Sequence, residues 1–331
     1  MPLDLSGNAY ETKKRKSAKD TSNIPPGADT AHQNTQTAKN TPWIPVEPKF
    51  TFSELILDDT TREALLDATS FYAHQETLMD DWGLRECFSD RANISINLYG
   101  ESGTGKTMAA HAIAHELNKQ ILFVDYAEIE SKYVGETAKN IKQLFATAAE
   151  LDAIIIFDEA DALLSKRVTD MRSASDVSVN QTRSVLLNIL NDYSGIVIFT
   201  TNFIQNFDPA FIRRIRYQIK FNLPNEALRS KLWRMYIPRK MPTDVDIPRM
   251  AEKYNEVSGS DIANSVFTAA IKAARRGNNL VTQLDFETAI EQIIQAKKDN
   301  TNDPPVTITK RVVSEEYVRQ QLGDRFPEEK E

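Results

Sequence analysis

The sequence predicts an α/β fold with a five-stranded parallel sheet, followed by a smaller domain made of helices. Apolar runs typical of strands alternate with segments of helical periodicity, and this alternation favours a parallel sheet with helices on both faces. After Pro224 the strand patterns stop while the helical patterns continue. The five predicted strands are Ile94–Tyr99, Ile121–Asp125, Ala153–Phe157, Ile196–Thr200 and Tyr217–Phe221.

Helices are predicted wherever apolar residues recur at intervals of three and four. The first follows Asp58-Asp59-Thr60-Thr61, whose short polar side chains are typical of a helix start. In the sheet domain the predicted helices are Arg62–Met79, Met108–Asn118, Ala138–Glu150 and Asn180–Asn191. In the second domain they are Ala227–Met235, Ile247–Lys253, Asp261–Arg276 and Gln283–Lys297.

These patterns divide the chain into four parts. Residues 1–48 contain few large apolar residues and are predicted to be a disordered tail. The sheet domain then spans 49–223, the helical domain 224–297, and a polar linker with a tail 298–331. Within the first tail, Lys13–Lys16 is either an address signal or a solvated charge run, and Trp43 docks either on the folded domain or on a partner.

Composition limits the classes of function. The chain has 331 residues, 41% of them hydrophobic and 26% charged, as in ordinary soluble proteins. A formal net charge of -7 argues against nucleic acid as the main partner. The single cysteine, Cys87, suits a reducing compartment. We find neither a signal peptide nor an apolar run of the ~20 residues that a membrane span needs, and we therefore expect a cytoplasmic protein.

A glycine-rich motif lies between the first predicted strand and the next helix. It fits G-x-x-x-x-G-K-[ST], the pattern of a loop whose backbone N–H groups bind phosphates. The lysine reaches the β- and γ-phosphates in such loops, and the following hydroxyl ligates Mg²⁺. The residues of the motif are Gly100, Glu101, Ser102, Gly103, Thr104, Gly105, Lys106 and Thr107. The motif predicts a site for a nucleoside triphosphate with Mg²⁺.

An acidic box follows the third predicted strand. Four apolar residues lead into Asp158-Glu159-Ala160-Asp161, so two carboxylates lie at the end of a buried strand. Ligands of parallel sheets bind at the carboxyl ends of the strands, which places both carboxylates beside the phosphates. Asp158 is then the Mg²⁺ ligand and Glu159 the base that activates water. Alternatively, Asp158 or Asp161 caps a helix.

Together with the segments Ile198–Asn202 and Asp208–Arg216, these motifs resemble the AAA+ ATPases. The likeness covers about residues 50 to 297. Within that family the chain resembles the branch of katanin, spastin and the ATPase part of the membrane AAA proteases. The resemblance implies ATP and Mg²⁺ as ligands and a ring, with a homo-hexamer expected.

The resemblance also implies roles for three residues after the fourth strand. Asn202 is expected to be a sensor that positions the lytic water, the alternative being an asparagine that caps a strand end. Arg213 and Arg216 match the two arginine fingers, which reach into the nucleotide of a neighbouring subunit. The family usually has Pro-Gly between these arginines, whereas this chain has Arg214-Ile215. Arg214 is therefore a candidate for packing or a salt bridge.

The segment between the second strand and the next helix resembles the first pore loop of this branch. Its residues are Lys132, Tyr133, Val134 and Gly135. In a ring, Tyr133 of each subunit would line a central pore and grip an extended polypeptide, because an aromatic face packs on many kinds of side chain. The polar stretch Arg167–Asp176 lies where a second pore loop is expected.

The start of the third helix of the second domain resembles the part of the branch that contacts adenine. Gly259 and Ser260 are the expected base contacts, or Ser260 is simply a helix N-cap. Met235 and Tyr236 fall near another contact to the base. On the opposite side Asp59, with Asp58, is expected to flank the adenine.

Two functions remain open from the sequence. One is a ring-forming motor that remodels, unfolds or disassembles protein substrates, with an adaptor protein or a tail selecting the target. The other is a nucleotide-gated assembly or loader ATPase that threads no substrate, which the aromatic Tyr133 loop disfavours. His111 and His115 lie four residues apart but outside any H-E-x-x-H motif, so packing or solvated histidines are favoured over a metal site.

Overall fold

The strands of the sheet lie where the apolar runs predict them. The computed structural model of the protein describes residues 43–88, 94–125, 136–165, 174–202 and 207–301. Five strands in these ranges form one sheet in the order β2–β3–β4–β1–β5, and neighbouring strands are parallel. They are β1 (Ile94–Gly100), β2 (Ile121–Asp125), β3 (Ile154–Asp158), β4 (Ile196–Thr201) and β5 (Tyr217–Phe221). The prediction of a five-stranded parallel sheet is confirmed.

The described helices follow the predicted order. In the sheet domain they are α1 (Asp59–Ala73), α2 (Leu84–Phe88), α3 (Lys106–Glu116), α4 (Glu136–Leu151), α5 (Asp161–Leu164), α6 (Ala174–Asp192) and α7 (Pro209–Ile212). After β5 they are α8 (Glu226–Tyr236), α9 (Ile247–Lys253), α10 (Gly259–Arg275) and α11 (Gln283–Thr301). None of them, over the described residues, is long and apolar enough to cross a membrane.

Helices cover both faces of the sheet, and β3 shows why its sequence is continuously apolar. Side chains alternate between the two faces of a strand. Ile155 and Phe157 point into a core shared with α4 and α6, whereas Ile154 and Ile156 point into a second core shared with α1 and α3. A strand buried on both faces needs an unbroken apolar run, which explains the four residues before Asp158.

Three predicted helix boundaries are wrong by four residues or more. The helix predicted as Asn180–Asn191 begins at Ala174. The helix predicted as Arg62–Met79 ends at Ala73 and is followed by a π turn at Thr77–Asp81. Its start is as expected, because Asp58 is the N-cap and accepts a hydrogen bond from the Thr61 N–H at 2.8 Å. At the other end of the chain, α11 continues to Thr301 instead of giving way to a linker after Lys297. A hydrogen bond from Gln295 to Asp299, one turn apart, supports this extension.

The helices after β5 have a core of their own. Trp233 of α8 is fully buried and meets Phe286 of α11 edge to face, with the ring centroids 6.1 Å apart. Met250 of α9 and Ile262 of α10 complete the same cluster. We refer to α8–α11 as the helical domain. Its predicted limits, 224–297, stay a prediction apart from the longer last helix.

Residues 43–48 are docked on the sheet domain, so the predicted tail is too long at this end. Trp43 is 9% exposed and joins the core on the α4 and α6 side. Val46 and Ile121 exchange backbone hydrogen bonds of 2.8 and 2.9 Å, which adds a short antiparallel bridge to β2, at the edge of the sheet. Of the two alternatives for Trp43, docking on the folded domain is confirmed. Lys13–Lys16 lies outside the described residues.

We expect Trp43→Ala to lower the free energy of unfolding by about 3 kcal/mol, because truncating a large buried aromatic side chain leaves a cavity. Ile44→Ala is the matched control, since Ile44 is 78% exposed and should change stability by less than about 0.5 kcal/mol. Urea unfolding curves of both variants test this. Equal curves would show that Trp43 is not anchored in the core.

Candidate active site

The carboxyl ends of three adjacent strands form the candidate site. In the sheet, β1 lies next to β4 and β4 next to β3. The glycine-rich loop follows β1, Asp158 ends β3, and Asn202 directly follows β4. Side-chain hydrogen bonds link these three segments, so the structure brings together the residues that the sequence predicted to meet.

Gly103 and Gly105 both adopt backbone conformations that favour glycine. Gly105 has φ 99° and is the N-cap of α3, so the chain turns sharply and the helix begins directly at Lys106. Gly103 has φ 76°, and a Cβ there would lie 2.6 Å from the Ser258 Oγ and 2.8 Å from the Ser260 Cβ. The loop therefore approaches the helical domain too closely for any other residue. It leaves the N-terminus of α3 facing the site, as anion binding requires.

Lys106 is held by the loop and by the end of β4. Its ammonium donates to the carbonyl oxygens of Gly100 and Glu101 and to the Asn202 Oδ1, each at 2.9 Å. The side chain is 8% exposed, and this burial lowers the pKa of Lys106, while the nearby carboxylates of Asp161 and Asp158 oppose the shift. An ammonium has three donors, so a phosphate could be bound only by replacing one of these partners.

Asp158 is positioned by two hydroxyl groups. Its Oδ1 accepts hydrogen bonds from the Thr107 Oγ1 at 2.9 Å and from the Thr200 Oγ1. The alternative of Asp158 as a helix cap is wrong, because Ala160 holds the N-cap position of α5 without a side-chain cap bond. The pair of Thr107 and Asp158 offers a hydroxyl and a carboxylate oxygen, and these hard oxygen ligands suit Mg²⁺. The residues present thus fit the expected ion.

Glu159 has a strained backbone at the edge of the cavity. Its φ is 49°, in the left-handed region that non-glycine residues rarely adopt. The Glu159 N–H donates to the Thr200 Oγ1 at 3.1 Å, and the side chain is exposed to the cavity. Strain of this kind clusters at functional sites, where neighbouring contacts maintain it. Thr200 therefore stabilises both carboxylate-bearing residues, one through its hydroxyl hydrogen and the other through its oxygen.

Asp161 orients the segment of Asn202. Both carboxylate oxygens of Asp161 accept from the Asn202 N–H, at 3.1 and 3.3 Å. Asn202 in turn presents its Oδ1 to Lys106. Sequence reasoning assigned no such function to Thr200 and treated Asp161 only as an alternative cap. The only sequence signal for Thr200 and Asp161 was that both are polar residues near the ends of apolar strands. This signal does not reveal which residues they hydrogen-bond with.

The site opens into a cavity of about 300 Å³, a size within the range of small-molecule sites, roughly 300–1,000 Å³. The helical domain closes it on one side, and the Ser260 N–H donates to the Gly103 carbonyl oxygen at 3.2 Å. The lining residues outside the sheet domain's motifs are Glu54, Leu55, Ile56, Leu57, Met108, Leu232, Met235, Tyr236, Gly259 and Ser260.

Two predictions about the residues that contact adenine differ from the structure. Gly259 and Ser260 face the cavity as predicted, but the N-cap of α10 is Ser258, which accepts from the Asp261 N–H. Asp59 does not line the cavity, because it begins α1 and is exposed. The preceding segment Glu54–Leu57 lies there instead. The carboxylate of Asp58 caps the N-terminus of α1.

Arg213 and Arg216 lie outside the cavity of their own chain. Neither is among the described residues that line it. Arg213 is exposed at the end of α7, and the Arg216 guanidinium lies over the ring of Phe71, 4.5 Å from its centroid. Arg214 instead donates to the Asn191 Oδ1 at 2.8 Å and to the Ala210 carbonyl oxygen at 3.0 Å. Arg214 is thus held by hydrogen bonds, where the sequence suggested packing or a salt bridge.

The remaining sequence predictions concern two histidines and two candidate pore loops. His111 is buried, accepts from the Lys49 N–H at 3.3 Å through Nδ1, and stacks on Phe123, so its packing interpretation is confirmed. His115 is exposed on α3. The candidate pore loop, Lys132–Gly135, and residues 167–173 of the candidate second loop lie outside the described residues, whereas residues 174–176 begin α6 instead of continuing a loop.

A known protein family matches a large part of the sheet domain. Residues 96–225 match the family described as "ATPase family associated with various cellular activities (AAA)". This range contains the glycine-rich loop, the acidic box, Asn202 and both candidate finger arginines. Over these residues the chain is similar to AAA ATPase domains, a family that binds nucleotides.

Several curated proteins that the chain resembles are named for the proteasome. The chain is 33% identical over 214 residues to proteasome-activating nucleotidase 2 of Haloferax volcanii, covering 62% of this chain and 52% of that protein. It is 34% identical over 207 residues to the 26S proteasome regulatory subunit 8 homolog of Schizosaccharomyces pombe, covering 60% and 51%. It is 35% identical over 224 residues to the subunit 4 homolog of Oryza sativa subsp. japonica, covering 65% and 50%. The chain thus spans about half the length of these relatives.

We expect Gly103→Ala to weaken ATP binding by about tenfold, equivalent to about 1.4 kcal/mol, because the added Cβ pushes Ser258 and Ser260 away from the loop. Isothermal titration calorimetry measures the affinity. Gly83→Ala is the control, since Gly83 has a similar φ of 71° and an added Cβ there would meet nothing within 4 Å. Both variants carry the same backbone strain, so equal affinities would mean that the contact with the helical domain is irrelevant to binding.

Proposed function

We propose that this chain is an AAA ATPase and works as an ATP-driven, ring-forming motor that remodels, unfolds or disassembles protein substrates through a central pore. The observation that carries the proposal is the hydrogen-bonded site of Lys106, Asn202, Thr107 and Asp158 at the carboxyl edge of the sheet. It joins the glycine-rich loop to the ends of β3 and β4. Such a site positions a triphosphate and its attacking water together.

The loop and its helix would bind the phosphates. Backbone N–H groups of Gly100–Thr107 and the N-terminus of α3 supply partial positive charge, and Lys106 supplies a full one. Thr107 and Asp158 would hold Mg²⁺, which neutralises charge on the β- and γ-phosphates when bound. Since Lys106 already contacts Asn202, exchange of that contact for the γ-phosphate would leave the Asn202 amide free to hold water beside it.

Glu159 would be the general base. It follows directly after Asp158 and faces the cavity, and Thr200 holds its backbone. In the reaction, the water oxygen forms a bond to the γ-phosphorus while the bond to the bridging oxygen of ADP breaks. The proton of the water goes to the Glu159 carboxylate. A base next to the metal ligand, but not used as a ligand itself, is free to accept it.

Arg213 and Arg216 would act on the nucleotide of a neighbouring subunit. Their position outside their own cavity supports this, because a guanidinium aids phosphoryl transfer only beside the phosphates. Such fingers are worth ~10³–10⁵ in rate in other enzymes. Hydrolysis would then require assembly, for which we propose a homo-hexamer.

The relatives support protein as the substrate class, since their names connect them with the proteasome. Tyr133 would line the pore and grip the polypeptide. A tail outside the folded domains, or an adaptor protein, would choose the target. The narrower resemblance to katanin, spastin and the membrane AAA proteases rests on motifs alone, and a cytoplasmic location rests on composition alone.

Glu159→Gln should lower the turnover number for ATP by at least about 100-fold, because general-base catalysis contributes about 10²–10⁴-fold, and should leave ATP affinity unchanged. A phosphate-release assay and calorimetry measure the two quantities. Glu150→Gln is the control, since Glu150 is exposed on α4. Normal hydrolysis by Glu159→Gln would remove it from the role of base.

Tyr133→Ala should abolish unfolding of a fluorescent test protein with an unstructured tail, while basal ATP turnover stays within about twofold. An aromatic side chain offers grip that a methyl group lacks. Tyr133→Phe is the control and should retain unfolding, measured as loss of fluorescence. If Tyr133→Ala unfolds the test protein normally, the assembly or loader function replaces the motor.

A further inference from the structure

We propose that Phe71 and Ser95 are positioning residues that hold Arg216 in place for the neighbouring subunit. The inference rests on the proposed role of Arg216 as a finger acting between subunits. Phe71 lies on α1 and Ser95 on β1, so both are far in sequence from the segment that they would hold. One acts on the side chain of Arg216 and the other on its backbone.

Phe71 supports the guanidinium. The Arg216 Cζ lies 4.5 Å from the centroid of the Phe71 ring, well inside the distance of about 6 Å at which a cation and a ring face attract each other. Phe71 itself is half-buried and packs against the core shared by α1 and α3. A ring anchored in the core gives the long arginine side chain a fixed surface to lie on.

Ser95 holds the backbone on both sides of Ile215. Its hydroxyl donates to the Arg214 carbonyl oxygen at 2.8 Å and accepts from the Arg216 N–H at 3.1 Å. Ser95 is 1% exposed, and Ile215, between the two bonded residues, is 3% exposed. The turn before β5 is therefore tied directly to the strand that leads into Gly100. A single hydroxyl thus satisfies one backbone acceptor and one backbone donor.

These contacts explain how the segment is ordered without the usual Pro-Gly pair. Proline and glycine restrict or permit particular backbone angles, whereas Arg214-Ile215 has no such constraint. Here Arg214 is bonded to Asn191 and Ala210, Ile215 is buried, and Ser95 fixes the backbone. A guanidinium held in advance loses less side-chain freedom when a neighbour docks, and a small misplacement of a catalytic group is costly in rate.

The test compares Phe71→Leu with Tyr72→Leu. Leucine keeps the apolar packing of Phe71 but removes the ring face under Arg216. Tyr72 is the next residue on α1, and its ring lies 4.7 Å from the Lys119 ammonium, so this control removes a similar contact remote from the finger. We expect Phe71→Leu to lower the turnover number for ATP by about threefold to tenfold, with the KM for ATP within about twofold of the parent. Tyr72→Leu and Phe71→Tyr should keep the parent turnover.

Rings that contain two kinds of variant subunit show whether Phe71→Leu misplaces Arg216 or damages the subunit in general. Glu159→Gln subunits cannot hydrolyse ATP but carry an intact Arg216, so they should restore turnover at neighbouring Phe71→Leu sites. The mixture is therefore expected to exceed the weighted sum of the two homogeneous proteins. Ser95→Ala should behave like Phe71→Leu in the same mixture. Turnover of Phe71→Leu equal to that of Tyr72→Leu, or a loss that mixing fails to restore, would overturn the inference.

Arg216→Ala in the same mixture tests the underlying premise. If it loses turnover and mixing restores it, the finger acts between subunits. If Arg216→Ala keeps its turnover, or if mixing restores nothing, the finger role fails and the positioning inference fails with it. If Arg216→Ala is restored by mixing while Phe71→Leu has parent turnover, only the positioning inference is wrong.

Discussion

The parallel register of β3, β4 and β1 is the constraint on which the candidate site depends. Phe157 pairs with Phe199, and Leu98 with Thr200, so the three strands end at the same level. Asp158 is then in reach of the hydroxyls of Thr200 and Thr107. A slip of one residue would turn each side chain to the opposite face of its strand. The two apolar cores prevent this, because the slip would exchange every residue between them.

Close approach of the glycine-rich loop to the helical domain gives the site its second wall. Ser260 donates to the Gly103 carbonyl oxygen, and Gly103 leaves no room for a side chain. A ligand in the cavity therefore contacts both domains at once. Movement of the helical domain would change this contact first, which provides a direct physical connection between the nucleotide and the orientation of the two domains.

In two places, side-chain contacts fix a backbone conformation that residues such as proline or glycine could also have favoured. Arg214, Ile215 and Ser95 order the turn before β5, and Thr200 maintains the strained backbone of Glu159. Each contact joins residues that are distant in sequence. Mutations of Ser95 in β1 or Phe71 in α1 would therefore change catalysis in the proposed ring, although neither residue lines the cavity. The finger and the base depend on the same buried sheet, although they serve different subunits in the proposed ring.

Sequence periodicity alone predicted the five strands, their parallel arrangement and most helices, because each pattern reflects local burial. Local motifs also identified the glycine-rich loop and the acidic box, because the residues of each motif are contiguous in the sequence. Helix ends were less predictable: α1 ends at Ala73 and α11 continues to Thr301. These limits depend on contacts and on side-chain pairs such as Gln295 with Asp299.

Only the tertiary structure decided which residues act together across the chain. Trp43 belongs to a segment whose composition predicted a disordered tail, yet its side chain is buried in the core. Asp59 looked like a ligand contact, but it begins α1 and is exposed, and Glu54–Leu57 lines the cavity instead. Thr200, Asp161, Ser95 and Phe71 are ordinary residues in the sequence. Their roles arise from hydrogen bonds and a ring contact between distant segments, and such partners are defined by folding rather than by local pattern.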